Sequence, residues 1–548
     1  MAHVADQFRQ SPISVALITS AICIASFTRI AVGAEQPNFL IILADDLGYS
    51  DFGCYGGEIS TPNIDALASR GLRYSQFYNT ARCWPTRAAL LTGYYAQQVR
   101  RDALPVVKGK KKCRATKNSR PPWARLLPKL LQPLGYRCYH SGKWHVDGQP
   151  LENGFDHSYL LYSHDTFFAP MTHTLDGEQV SSNDDYYATT AVADYAIEFL
   201  RQHREQASDQ PFFEFVAFTA PHFPLHALPQ DIARYDSAYN IGWDEVREQR
   251  WQRLRQMHSI PGTLSRLEPE IGTPYTRHFD NAKQVLGPGE VNAEVAWESL
   301  TEEQRKFQAM KMSIHAAMID RMDREVGRIV EDLRQSGELD DTVIVILSDN
   351  GASAEIMVRG NGHDPDASPG SAASYLCLGA GWSSAANTPF RRHKTWVHEG
   401  GIATPMIVHW PNGISAQGEW RSAAGHVIDI APTVVQLAGG TWPQLHNDKE
   451  VPSTPGCNLA ATFASDVPIE RQAIWWLHEG NRAIRAGNWK LVAAKNEPWQ
   501  LYDLSCDRTE TNDLASRQPE RTAELAQTWQ SLTDEFILLR DRDSTQSE

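Results

Sequence analysis

A few short segments carry side chains whose types and spacing could do chemistry together. In Cys83-Trp84-Pro85-Thr86-Arg87-Ala88-Ala89-Leu90-Leu91-Thr92-Gly93, a proline suited to a first turn and a glycine suited to an end bracket a short helix. Cys83 then sits at the mouth of that helix, where free N–H groups favour an anion, and Arg87, one turn in, can reach back toward it. By residue type alone, Cys83 is either a small buried side chain or a low-pKa thiolate nucleophile. Asp45-Asp46 and Asp349-Asn350 offer hard oxygen ligands, which suit Ca2+ or Mg2+ and not zinc, although one such pair by itself is as often a turn or a helix cap. Lys143 and His145 stand two residues apart, so on an extended segment both point the same way, as joint work on one anion requires.

Such residues need elements to position them. Asn38–Ala44 and Thr342–Leu347 are continuous apolar runs, the pattern of strands buried on both faces of a largely parallel sheet. Each run ends in one of the acidic pairs, and open α/β sheets place ligand sites at the carboxyl ends of their strands. A third run, Pro211–Ala220, carries Phe213, Phe215, Val216 and Phe218 and leads into Pro221-His222. Helices are predicted over Thr61–Ala68, with Pro62 near its start and Gly71 near its end, and over Met310–Gln335, with Ile314, Met318, Met322, Val326 and Ile329 at helical spacing. This alternation predicts an α/β main domain. The polar stretch Arg234–Glu302, rich in Arg, Glu and Trp, reads as a helical insertion near a substrate entrance. After about Gln417 short β-like pieces, Ala473–His478, Trp489–Ala494 and Trp499–Asp503, precede a helical tail, Pro519–Leu539. The expected organisation is a signal at 1–34, a catalytic domain at 35–416 and a smaller α+β domain at 417–548.

Cys83-x-Pro85-x-Arg87 followed by Leu91-Thr92-Gly93 resembles the motif of the sulfatase family, in which the cysteine is oxidised to formylglycine. Asp45-Asp46-Leu47-Gly48, Gly142-Lys143-Trp144-His145, Pro221-His222-x-Pro224, Ser348-Asp349-Asn350-Gly351 and Lys394-x4-Glu399-Gly400-Gly401 resemble further blocks of that family, in the family's order, from Asn38 to about Pro411. The resemblance implies an alkaline phosphatase-like α/β fold: a large, mostly parallel mixed sheet flanked by helices, with a smaller C-terminal domain of antiparallel sheet plus helix. It implies one Ca2+ ion, Mg2+ being less favoured, held by Asp45, Asp46, Asp349, Asn350 and the residue made from Cys83.

The implied catalytic set is Cys83, Arg87, Lys143, His145, His222 and Lys394. The hydrated aldehyde at position 83 attacks the sulfur of a sulfate ester while Asp349 accepts its proton. Lys143 and Lys394 join the metal in screening the nonbridging oxygens. His222 and Lys394 serve the departing oxygen, since an alkoxide leaves poorly unless protonated or stabilised. His145 takes a proton from the second hydroxyl, so that collapse to the aldehyde expels sulfate. Arg87 holds the modified residue with its fixed donors. Asn361, His363, Trp396 and His398 lie beside these blocks as candidate substrate contacts. The implied activity is that of an arylsulfatase-type sulfuric ester hydrolase on aryl or carbohydrate sulfates, sulfated polysaccharides included, with a formylglycine-generating or sulfatase-maturing enzyme as partner. Its rivals are a phosphonate or phosphate ester hydrolase with the same modified cysteine, an inactive sulfated-glycan-binding protein, and a thiol enzyme using unmodified Cys83.

The totals fit such an enzyme. At 548 residues the chain exceeds one ordinary core, and its 42% hydrophobic and 22% charged residues are those of a soluble globular protein. Lys plus Arg (52) against Asp plus Glu (66) leaves a charge of −14, which disfavours nucleic acid and requires a local positive pocket for any anionic substrate. The basic run Lys108–Arg114 is a solvated loop or a rim that attracts polyanions. Arg9, the apolar stretch Val15–Phe27 and the small residues Val32-Gly33-Ala34 read as an export signal, too short to span a bilayer, so a secreted or periplasmic location without stable membrane insertion is expected. Beyond it lie seven cysteines, Cys54, Cys83, Cys113, Cys138, Cys377, Cys457 and Cys506, and modification of one would leave six to pair or stay buried.

Overall fold

The apolar runs become the centre of a sheet. A computed structural model describes residues 36–105, 119–359 and 362–545; the export segment, the basic run Lys108–Arg114, Cys113 and Asn361 lie outside the described residues. The main sheet has eleven strands: β1 Asn38–Ala44, β2 Leu72–Tyr78, β3 Arg137–Lys143, β4 His157–Leu161, β5 His173–Leu175, β6 Glu178–Val180, β7 Phe212–Ala217, β8 Thr342–Ser348, β9 Ala403–His409, β10 Glu419–Arg421 and β11 Gly425–His426. Their order is β10-β2-β9-β8-β1-β7-β3-β4-β5-β6, with β11 also on β2. The five central strands β8, β1, β7, β3 and β4 run parallel, while β9 is antiparallel to both its neighbours. The mixed, mostly parallel sheet is as expected.

Strand periodicity divides β1 between two cores. Leu40, Ile42 and Ala44 face a core that includes Val192, Phe199, Met318 and Ile329 from the helices Ala188–Gln206 and Glu302–Ser336. Phe39, Ile41 and Leu43 face the other, with Leu90 and Leu91 of the cysteine segment and Trp475, Leu491, Leu501 and Trp529 from the C-terminal region. Burial on both faces is what the unbroken apolar runs require.

The short helix α1 spans Pro62–Ser69, as predicted. The long helix begins at Glu302, eight residues before the apolar stripe does, because Thr301 and Gln304 form a capping box, and it ends against Gly337 at φ 79°. Within the polar stretch 234–302 lie the helix Thr276–Leu286 and the helix Gly242–Met257, the latter anchored through Trp243 against Trp297 and Trp382 with ring centroids 4.8 and 5.6 Å away. After the two-stranded hairpin β12 Leu445–His446 and β13 Lys449–Glu450 comes the antiparallel sheet β14 Ile474–His478, β15 Asn481–Ala486, β16 Trp489–Ala493 and β17 Gln500–Asp503, with the helix Pro519–Thr545 behind it. The strand β15, interrupted by Asn481, Arg482 and Arg485, gave no apolar run in the sequence. Strands β10 and β11, from beyond residue 416, complete the edge of the main sheet on β2. Among the described residues no helix is long and apolar enough to cross a membrane, and Cys54, Cys83, Cys138, Cys377, Cys457 and Cys506 are unpaired.

Candidate active site

Parallel pairing puts the chemistry on one edge. Ala44 is in register with Ser348, so Asp45-Asp46 and Asp349-Asn350 leave adjacent strands side by side, and Asp46 N–H donates to Asp349 Oδ1 at 3.4 Å. Strand β3 delivers Lys143 beside them, and the loop after β7 delivers His222. The glycines of these blocks mark close backbone approach. A Cβ on Gly351 would lie 1.9 Å from the Gly400 carbonyl oxygen, and Gly142, at φ 115°, would put one 2.1 Å from that of Ala217.

The cysteine segment forms helix α2, Cys83–Thr92, with Gly93 in the left-handed conformation at its end. Pro85 is its third residue, and Cys83 opens the helix, only 3% exposed. Cys83 lies close enough to Arg82, Arg87, Asp349 and Lys394 to interact electrostatically with all four. Arg87, fully buried, does more than reach toward it. Its Nε and NH2 donate to Asp349 Oδ2 at 3.0 and 2.9 Å, NH2 lies 3.3 Å from Asp45 Oδ2, and NH1 donates to the Lys143 carbonyl at 2.7 Å. One guanidinium thus ties the ends of β1, β8 and β3 to the helix that carries Cys83.

Two lysines complete the charge pattern. Lys143 pairs with Asp45. Lys394 lies 2.7 Å from Asp46 Oδ1 and 3.1 Å from Glu355, which also binds Arg82 at 3.0 Å. After Lys394, Thr395 is held at φ 86°, unusual for a β-branched residue, by its N–H to Ala81 O (2.8 Å), its hydroxyl to Arg82 (3.0 Å) and its carbonyl to Asn481 (3.0 Å). Burial would raise the Asp45 carboxyl, but Lys143, Arg87 and Lys394 together bring it down to about 2. Burial and the Asp45 charge push Asp46 above the usual carboxylate range.

Three imidazoles form the opposite wall. His222 Nδ1 lies 2.5 Å from the Phe223 carbonyl, which can only accept, so Nδ1 bears the proton and Nε2, 3.6 Å from Asp46 Oδ2, faces the acids. His145 does not continue the strand: β3 stops at Lys143, and His145 is left-handed at φ 57°, so the extended course expected across both residues ends between them. Its ring is solvent-accessible, yet crowding in the cleft and the Lys143 and Arg87 charges hold it neutral, below the usual imidazole range. It stacks edge-on to Trp84 at 6.0 Å, and His164 fills the gap between it (6.1 Å) and His222 (5.0 Å).

All of the expected site residues are therefore gathered along one edge of the sheet. His164, Glu355, Arg82 and Arg359 were not foreseen. Arg82 adjoins Cys83 and Glu355 follows Asp349-Asn350 closely, so proximity to the blocks could have flagged both; His164, alone in a loop, gives no signal. Of the further candidates, His398 is buried 3.5 Å from Gln500, His363 accepts from the Tyr375 N–H at 2.9 Å, and Trp396 stacks with Arg392 at 5.9 Å.

The acids also suit a cation. Ligand atoms of Asp45, Asp46 and His222 all lie within 4.8 Å of one another, and Asp45 Oδ1 and Asn350 Oδ1, both buried, have no hydrogen-bond partner among the described residues. A hard divalent ion suits such oxygens.

Comparison with known proteins bears on the family of the chain. The family model for sulfatases matches residues 37–440, and that for the C-terminal part of N-sulphoglucosamine sulphohydrolase matches residues 391–536. An uncharacterized sulfatase of Schizosaccharomyces pombe is 31% identical over 90% of this chain and 93% of its own length. An arylsulfatase of Klebsiella aerogenes is 33% identical over 75% of this chain and 88% of its own. Among solved structures, one in complex with its substrate D-glucosamine-2-N,6-O-disulfate superposes with a TM-score of 0.60 at 21% identity, covering 92% of this chain and 98% of that one. A family model spanning most of the chain, and relatives above 30% identity along most of its length, make this chain a member of the sulfatase family, the hydrolases of sulfuric esters.

Proposed function

We propose that Cys83 acts after oxidation to formylglycine, and that Asp45, Asp46, Asp349, Asn350 and the modified residue hold one Ca2+ ion. The balance of charge carries this reading. The carboxylates of Asp45, Asp46, Asp349 and Glu355 are matched in number by Arg82, Arg87, Lys143 and Lys394, all of them buried. A resident divalent ion therefore leaves the site positive, ready for an anionic ester in an otherwise acidic protein. When bound, the ion supplies charge compensation for the sulfate oxygens and for a hydroxyl of residue 83; the hydrated aldehyde supplies that hydroxyl.

The chain's own residues do the rest. Lys143 and Lys394 bind the nonbridging oxygens, and Arg87 fixes residue 83 relative to Asp45 and Asp349. Asp349 receives the proton of the attacking hydroxyl. His222 Nε2 and Lys394 Nζ both lie near Asp46 Oδ2, at 3.6 and 2.9 Å, so both border one departing oxygen; Lys394 gives it the proton, since His222 Nε2 carries none while Nδ1 holds the proton against the Phe223 carbonyl. His145, a neutral base on the accessible wall, removes the proton of the second hydroxyl. The partly exposed Trp84, beside Cys83, offers an apolar face to an aryl or sugar group. The substrates are sulfate monoesters of carbohydrates or aryl alcohols; a fold relative acts on a sulfated glucosamine. Export through residues 1–34, maturation by a formylglycine-generating enzyme, and division into a catalytic part at 35–416 and a C-terminal part at 417–548 belong to the same proposal.

Trypsin releases Cys83–Arg87 as one peptide, since Arg82 precedes it. Its mass in protein that hydrolyses 4-nitrophenyl sulfate should be that of an aldehyde; an intact thiol in fully active protein overturns the reading. A phosphonate monoester assayed in parallel separates the phosphoryl rival.

A further inference from the structure

One cation at the mouth of the site answers to no carboxylate. Arg82, Arg87, Lys143 and Lys394 each pair with an aspartate or glutamate, whereas Arg359 forms no ion pair among the described residues. It is half-buried, and its guanidinium lies 5.2 Å from the centroid of Phe223. The Lys394 ammonium lies 5.6 Å from the same ring. Arg359 NH1 donates to His164 Nε2 at 3.4 Å, and His164 in turn stands on His222. Asp165, an acid within electrostatic reach of the same Tyr375 ring as Arg359, accepts from the Tyr375 hydroxyl at 3.3 Å.

Arg359 is thus one side chain removed from His222 and Lys394, on the side of the departing group. A guanidinium partly stripped of water, with its plane braced by an aromatic face and an imidazole, is prepared to bind a planar or tetrahedral oxyanion at little entropic cost. We propose that Arg359 is a specificity-determining residue that binds a second anionic group on the leaving side of the substrate, a carboxylate or a second sulfate. The preferred substrates are then sulfated sugars carrying at least two negative charges. This rests on the sulfatase reading of the site.

The test uses matured full-length protein turning over 4-nitrophenyl sulfate, with sugars as competitive inhibitors. Glucosamine 6-sulfate is the singly sulfated reference. Against it stand disulfated glucosamines with the second sulfate on different carbons, and a sulfated uronate, which together tell a sulfate partner from a carboxylate. A charge-assisted contact of this kind predicts that at least one doubly anionic sugar competes about 10- to 100-fold better than the reference. That ratio, formed within each variant, cancels general changes in turnover. It should fall to within about twofold of unity in Arg359→Gln, persist in part in Arg359→Lys, and shrink with added salt. An inhibition ratio near unity for every doubly anionic sugar in the wild type, or a preference that survives Arg359→Gln, overturns the inference alone. Protein with formylglycine at position 83 that releases no sulfate from the aryl ester overturns the sulfatase reading and this inference with it.

Discussion

Replacing Glu355 with Gln removes one charge from a buried row while keeping the side chain's shape. Glu355 is 1% exposed; its Oε1 lies 3.0 Å from Arg82, its Oε2 lies 3.1 Å from Lys394, and Ser353 donates to it at 3.0 Å. Against the upward pull of burial, Lys394 and Arg82 hold this carboxyl well below the usual range. Neither cation is stranded by the substitution, because Lys394 keeps Asp46 at 2.7 Å and Arg82 keeps the Thr395 hydroxyl at 3.0 Å. Leaving a buried charge wholly unpaired costs about 3–5 kcal/mol, so two weakened but still partnered cations should cost roughly 2–3 kcal/mol in urea unfolding. The kinetic signature is sharper. Without Glu355, Lys394 loses one of the two carboxylates that hold its ammonium in place beside the proposed departing oxygen. Losing about 2 kcal/mol of stabilisation there slows poor leaving groups about 30-fold and activated aryl sulfates far less. Across a series of substituted phenyl sulfates, the dependence of kcat/KM on the acidity of the phenol should steepen. Wild-type stability, or an equal loss for every leaving group, refutes the reasoning.

Chelation of divalent ions should abolish turnover and lower the thermal unfolding temperature, and Ca2+ should restore both at lower concentration than Mg2+; an ion at a hundredfold its dissociation constant adds about 2.7 kcal/mol, so an unchanged melting curve sinks the metal assignment. Asp51, buried 2.7 Å from Arg250 and 3.3 Å from His315, is brought by them from 3.8 down to about 2 despite burial. The unfolded chain therefore takes up this proton first, and the roughly 2 kcal/mol the pair contributes is complete above about pH 4 and lost toward about pH 2. Urea midpoints of the wild type and Asp51→Asn should converge over that window, and a constant gap counts against the assignment. Glu214, in the middle of β7, has no partner for either oxygen among the described residues, and burial pushes its carboxyl well above 4.5. Its contribution is complete only below the unfolded-state value near 4.5 and is lost as pH rises from there through the folded-state value, so Glu214→Met should stabilise by about 1–3 kcal/mol near pH 8 and by less near pH 5; a gain independent of pH contradicts this.

Much of the frame was legible because burial on both faces leaves no room for a polar residue. Asn38–Ala44 and Thr342–Ser348 could therefore be read as strands almost to the residue. Two other strands were not, since Glu419–Arg421 and Asn481–Ala486 each face solvent or an ionic cluster somewhere along their length and so lack an apolar signature. The site was legible as blocks and much less so as geometry. That Asp45 would neighbour Asp349 followed from two strands ending alike, but the pairing of β1 with β8 joins residues some three hundred positions apart, and nothing local encodes it. His164 and Arg359 belong to loops, where no periodicity records which way a side chain turns.

The spacing of Cys83 and Arg87 acquires a reason only from the folded edge. Four residues apart on α2, they share one side of the helix. Arg87 is occupied with Asp349, Asp45 and the Lys143 carbonyl, so the helix cannot shift or rotate without breaking a buried clasp to three strands at once. Stranding those acids would be among the costliest changes the site could suffer. The same contacts fix where the first residue of the helix stands relative to the acids that would hold a cation. Positioning of residue 83 is thus a property of the sheet edge, transmitted through one guanidinium. It needs no direct bond between Arg87 and the reacting atoms, and this separates the arginine's work from that proposed for Lys143 and Lys394, whose ammonium groups would meet the ester.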